Sequence, residues 1–183
     1  MSTTRELFGG TITADLPSQL IDASDLRQVP DTQEVFLSPA SGISIIVEVL
    51  QSVPATDPRE AAGLHFDALA HDNDAKSHKV HDATKVHDAT KVPNGSNGAT
   101  PDPVVLYGTQ TVHKFNSTSA DEVRILLALY RVKHKAVDLV MTMNVPMTST
   151  DGGSVSEDSW AEAKAVFDVA AKSLRIVDYG LFA

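Results

Sequence analysis

The sequence predicts an α+β domain in which helices cover an antiparallel sheet. Three observations predict it. Short runs with strand-like patterning dominate the first fifty residues. Two long apolar runs, Val123 to Val132 and Ala136 to Val145, flank a three-residue polar tip. The chain then closes on an apolar stripe at helical spacing from residue 156 to 174. Strands, one helix, more strands and a final helix give segregated layers, not alternating βα units.

Taken in order, Gly9-Gly10 is a turn signal, and TITADL follows with Ile12, Ala14 and Leu16 alternating with polar neighbours. That alternation predicts a half-buried strand ended by Pro17. Ser24 to Arg27 reads as one helical turn with Ser24 as its N-cap. Gln33 to Ser38 and Ile43 to Gln51 read as two strands joined through Pro39-Ala40-Ser41-Gly42, a hairpin connection. Asp57-Pro58, with Glu60 three residues after Asp57, predicts a capped helix running to about Ala70, with Ala61, Leu64, Ala68 and Leu69 on its apolar face.

Residues 71–103 break the pattern. HDATKV occurs at 81–86 and again at 87–92, followed by PNGSNGATPDP. With little to bury and much turn chemistry, the segment reads as a mobile insertion within one domain. Val104 to Phe115 resumes as a strand, with a kink expected at Gly108. The runs on either side of Lys133-His134-Lys135 read as the central strands. The final helix carries Trp160, Ala163, Val166, Phe167, Ala170, Ala171 and Leu174 on one stripe, and IVDYGLFA reads as a short strand or docked tail.

Composition narrows the chemistry. The 183 residues and 42% hydrophobic content suit one domain with its own core. The absence of cysteine excludes disulfides, thiol catalysis, zinc ribbons and iron–sulfur sites. No basic leader with an apolar stretch opens the chain, and no run reaches a membrane-spanning length, so a soluble intracellular protein is expected. The net charge is −9, and residues 1–60 hold nine acids against three bases. An acidic region of this kind disfavours nucleic acid and anionic membrane and favours a basic protein partner.

The candidate catalytic groups are weak. His71-Asp72, His81-Asp82 and His87-Asp88 are metal-ligand types and match the consecutive His-Asp of some metal-dependent phosphohydrolases. They lie in a segment with no predicted rigid support, and a metal site needs one. His65 reads as a core-edge histidine bonded to a backbone carbonyl, and Trp160, Phe167, Met141 and Met143 as core. Arg131, Lys133 and Lys135 read as a basic tip too small for nucleic acid. No Gly-x-Ser-x-Gly or phosphate-binding loop is present. Asp31 and Glu34, beside Pro30, could form an acid–base pair. Both are expected to be exposed, which suits them better to pairing with a lysine or arginine across an interface.

Those acids sit in Ile21-Asp22-Ala23-Ser24-Asp25-Leu26-Arg27-Gln28-Val29-Pro30-Asp31-Thr32-Gln33-Glu34-Val35. The segment resembles the signature of the Mog family of Ran-binding nuclear-import factors, I-D-x-S-x-L-R-x-V-P-D-x-Q-E-V, at every fixed position. Weaker blocks follow in family order. They are Leu7-Phe8-Gly9-Gly10, Ser44 to Leu50, Glu60-Ala61-Ala62 with His65-Phe66-Asp67, Asn144-Val145-Pro146, and Val177-Asp178 with Leu181-Phe182. The insertion with its HDATKV repeat departs from the pattern.

The resemblance implies the Mog/PsbP-like fold, an antiparallel sheet packed between helices, over one Ran-binding domain spanning residues 1–183. It implies a protein that binds the small GTPase Ran, promotes release of its guanine nucleotide and supports nuclear import. No catalytic residue, metal or cofactor is implied, and the chain is expected to be a monomer in nucleus and cytoplasm. The Ran-contacting pair would be Asp31 and Glu34, with Asp25, Arg27, Thr32 and Gln33 as neighbours. The competing readings are a PsbP-like module for another partner and a His-Asp phosphohydrolase.

Overall fold

The computed structural model describes residues 1–80, 90–91, 100–113 and 118–183. Eleven strands and two α-helices occur among them. β1 (Ser2–Leu7), β2 (Ile12–Pro17) and β11 (Arg175–Ile176) form a small antiparallel sheet. The larger sheet runs β3 (Ile21–Asp22), β4 (Gln33–Leu37), β5 (Ser44–Gln51), β10 (Val137–Pro146), β9 (Asp121–Val132), β8 (Val104–Val112) and β6 (Ala75–Val80). β7 (Thr90–Lys91) also pairs with β8.

β9 and β10 are central, as their apolar runs predict, and period-two alternation explains why those runs are nearly continuous. Leu126, Ala128, Tyr130 and Val132 join one core, with Leu139, Met141, Met143 and Val145 from β10. Ile125, Leu127 and Leu129 point to the opposite face and join a second core with Val140. A strand buried on both faces has no polar positions to show. Each fully buried large side chain contributes roughly 1.5–3 kcal/mol of transfer free energy.

α2 (Glu157–Ser173) starts where Ser156 accepts from the Ser159 amide, and it lays Trp160, Ala163, Phe167, Ala170 and Ala171 on the first core. The Tyr130 hydroxyl donates to Ala171 O at 2.5 Å, tying the end of α2 to β9. α1 (Pro58–Asp72) begins with Asp57 accepting from the Arg59 amide and proline in its first turn, as the sequence predicts. Of the expected stripe, Ala61 is buried and Leu69 half-buried, but Leu64 and Ala68 are exposed, and the buried face is Ala61, Ala62, His65, Phe66 and Ala70. The helix is rotated so that Phe66 reaches β8. There Gly108 keeps regular pairing with Ile125, without the expected kink. A Cβ on Gly108 would lie 2.3 Å from the Phe66 ring, so its lack of a side chain makes room for that ring.

β1 was not foreseen, because STTREL lacks clean alternation; backbone pairing with β2 holds it, from Ser2↔Pro17 to Leu7↔Ile12. β6 falls inside the segment expected to be an insertion. An edge strand needs only its backbone to pair, so its polar composition does not prevent it. The HDATKV repeat, apart from Thr90 and Lys91 in β7, lies outside the described residues.

Candidate functional site: an acidic turn against the C-terminal tail

The signature segment folds as an Asx-type turn leading into a strand. The Asp22 carboxylate accepts from the Ser24 amide at 2.8 Å and from the Ser24 hydroxyl at 2.7 Å. Asp22, and not Ser24, therefore caps the 3-10 turn Ala23–Asp25. The chain then runs out through exposed residues 24–28, turns at Pro30, where the carbonyl accepts from the Gln33 amide at 2.9 Å, and enters β4.

β4 sends successive side chains to opposite faces, so Gln33 and Glu34 part company. Gln33 donates to the Glu48 carboxylate on β5 at 2.5 Å. Glu34 points the other way and accepts from the Phe8 amide at 2.5 Å. This corrects the expectation that both acids are exposed. Asp31 is exposed and, among the described residues, its side chain has no hydrogen bond or ion pair. Glu34 is half-buried. Burial pushes its carboxyl above the ordinary value, the Phe8 amide pulls it back, and the Asp22 charge adds a further upward push.

Glu34 holds an unusual piece of backbone. Phe8, Gly9 and Gly10 all adopt positive φ, at 49°, 67° and 91°. A bulky residue in the left-handed region costs on the order of 1–3 kcal/mol and persists only where its surroundings fix it. The carboxylate on its amide is one such fixing contact. Phe8, Asp22, Ser24, Val29, Pro30, Asp31, Gln33, Glu34, Val35 and Leu181 line an open depression of ≈ 380 Å³. Of the expected neighbours, Gln33 is brought to it; Asp25, Arg27 and Thr32 are exposed but do not line it. Sequence reasoning missed Phe8, Asp22 and Leu181 as parts of this site. The Gly9-Gly10 turn and the D-x-S spacing were legible signals for the first two.

The other charged cluster lies at the mouth of α1. Asp138 is fully buried and takes four bonds: from Arg131 Nε at 3.0 Å, Ser52 Oγ at 3.1 Å, the Val53 amide at 3.1 Å and His65 Nε2 at 2.8 Å. Arg131 also donates to the carbonyls of Ala55 and Val53. Two expectations fall here: His65 pairs with a carboxylate and not a carbonyl, and Arg131 is folded inward from the basic tip. Burial pushes the Asp138 carboxyl up, and the bonds from His65, Val53 and Arg131 outweigh it, leaving the group below its ordinary value. Every lone-pair direction is used, so this is a structural node with no valence left for a substrate.

His71-Asp72 ends α1 in solvent, while His81-Asp82 and His87-Asp88 lie outside the described residues. No group of three or more potential metal ligands occurs among the described residues. No helix among them is long and apolar enough to cross a membrane.

The turn thus presents an exposed carboxylate, without a partner among the described residues, beside a half-buried one held by the Phe8 amide, on a helix-covered antiparallel sheet. Comparison with known proteins gives the class of this fold. The Ran-interacting Mog1 protein family matches residues 5–146, and the chain belongs to this family. It is 32% identical to the Ran guanine nucleotide release factor of Danio rerio, over 97% of this chain and 98% of that protein. It is 31% identical to the nuclear import protein MOG1 of Saccharomyces cerevisiae, over 97% and 84%. Among solved structures, a glutamate-to-alanine mutant of Protein Mog1 superposes with a TM-score of 0.72 at 26% identity, covering all of both chains. The Saccharomyces cerevisiae Ran-binding protein Mog1p does so at 0.72 and 25%, covering 100% of this chain and 99% of that one.

Proposed function

We propose that this protein binds the GTPase Ran through the acidic turn, promotes release of its guanine nucleotide and so supports nuclear protein import. Family membership supports the partner, since matched relatives are named as Ran guanine nucleotide release factors and nuclear import proteins. The single observation that supports the site is Asp31: an exposed carboxylate, without a partner among the described residues, on the rim of the depression that Glu34 and Leu181 share.

Release follows from linkage and needs no bond chemistry on this chain. A protein that binds nucleotide-free Ran more tightly than the nucleotide-bound form lowers nucleotide affinity by the same factor. Asp31 supplies a charge for a basic side chain of Ran. Glu34 supplies a second carboxylate while holding the Phe8 turn that forms the adjoining wall. Asp25, Arg27 and Thr32 flank the contact, and Gln33 shapes its floor through Glu48. The chain acts without an active site or cofactor of its own, as a monomer, with no nucleic acid partner, in nucleus and cytoplasm.

The test is a titration of Ran loaded with a fluorescent guanine nucleotide. The expected result is a complex together with faster nucleotide loss as the protein is added. Absence of both at micromolar concentrations would overturn the reading.

A further inference from the structure

The tip between β9 and β10 carries charge of the opposite sign to the acidic turn, and the C-terminal tail joins the two. Lys133, His134 and Lys135 form a 3-10 turn closed by Ala136 in the left-handed region, at φ 52°. The tip is anchored: the Ala136 amide donates to Lys133 O at 3.2 Å, and its carbonyl accepts from the Ser52 amide at 3.1 Å. The His134 ring lies 5.1 Å from the Tyr179 ring, which lies 6.0 Å from Phe182. Tyr179 and Leu181 belong to the same 3-10 turn, Tyr179–Phe182, so about 4 Å of rise separates them. Leu181 lines the depression with Asp31 and Glu34.

Acidic turn, apolar tail and basic tip are thus one strip along one end of the large sheet. Asp178, the acid nearest in sequence to the tail aromatics, is occupied by the Gly180 amide at 2.7 Å. Neither lysine side chain has an ion pair among the described residues. Two unpaired lysines held at a strained turn stand out in a chain of net charge −9.

We propose that this tip is the second half of the Ran interface: Lys133 and Lys135 meet an acidic patch on the GTPase, and His134, Tyr179 and Phe182 cover apolar side chains beside it. The inference rests on the reading of the acidic turn as the Ran site, and continuity with that turn selects the occupant. A polyanion such as nucleic acid would have to approach past Asp31 and its acidic neighbours.

The sign of the effect decides it. The test measures Kd and association rate for Ran with Lys133→Glu/Lys135→Glu, with Lys133→Arg/Lys135→Arg, and with the wild-type chain, at low and high salt. Lys133 is exposed and Lys135 half-buried, and neither has an ion pair among the described residues, so both can be replaced without loss of fold, which a thermal melt checks; Lys133→Ala/Lys135→Ala serves if the reversed charges disturb it. The expected result is a 3- to 10-fold weaker complex for the glutamate pair, mostly through slower association, shrinking at high salt, with the arginine pair near wild type. If the tip only hangs near the basic surface that Asp31 engages, removing its charge should tighten binding. Unchanged or tighter binding overturns the inference. Loss of binding in Asp31→Lys with no change in the lysine variants would overturn it alone, whereas failure of the wild-type chain to bind Ran would overturn both readings.

Discussion

Asp138 and Asp31 are both aspartates just N-terminal to or within a strand, and the structure uses them in opposite ways. Asp138 is fully buried and saturated by Arg131, His65, Ser52 and the Val53 amide. Asp31 is exposed, with no partner for its side chain among the described residues. A carboxylate whose bonds are all made within the chain holds β9, β10 and α1 together. One whose bonds are unmade is available to another molecule. Burial and satisfaction, not residue type, separate the structural charge from the one proposed to bind Ran.

Breaking the buried node should have the largest effect. Asp138→Ala strands the Arg131 charge without its counter-charge and leaves His65 without its hydrogen-bond partner, and a thermal or denaturant melt should show a loss of about 3–5 kcal/mol. The dependence on pH follows from the direction of its shift. Its folded carboxyl titrates below 3.8, so its stabilisation is present above that value and is lost as pH falls through the lowered one. The variant should therefore lose less stability than wild type between pH 5 and 2. Nucleotide release per folded molecule should survive, which separates this node from the site.

Gly108→Ala comes next. Its Cβ would enter the Phe66 ring, and the overpacking should cost about 1–3 kcal/mol. Protection of α1 amides from hydrogen exchange should fall more than that of α2, since Phe66 belongs to the core under α1.

Glu34→Gln sharpens the comparison from the other side, because Glu34 lies between the two extremes. Glutamine keeps an oxygen for the Phe8 amide and removes the charge. The wild-type carboxyl is raised when folded, so the native state holds its proton more tightly, and wild type loses stability as pH rises through the folded value. The melting temperature of the variant relative to wild type should thus increase from pH 4 to pH 7. Acceleration of nucleotide release should weaken over the same range. A flat difference in melting temperature would mean that burial does not shift this group.

The fold was legible where alternation or capping chemistry spoke: β2, β4, β5, the central pair and both helix starts. The acidic turn was legible through its fifteen-residue signature. What escaped has physical reasons. β1 and β6 are held by backbone pairing at sheet edges, which leaves little trace in side-chain pattern. The bond between Glu34 and Phe8 spans 26 residues, and no local periodicity encodes a contact of that reach. The inward fold of Arg131 depends on Asp138 seven residues away across a turn, and the sequence shows only a basic tip. Leu181 reaches the site because β11 brings the tail onto β2, a pairing of only two residues.

Asp31→Lys tests the central claim most directly, because the side chain is exposed and bonds to nothing among the described residues, so its replacement should shift stability by no more than about 0.5 kcal/mol. The measurement is the rate of fluorescent guanine nucleotide release from Ran, compared between wild type and Asp31→Lys at equal concentration. The account predicts that the variant folds as wild type does and loses acceleration at least tenfold. A variant that accelerates release as wild type does would contradict it, and would move the contact away from this turn.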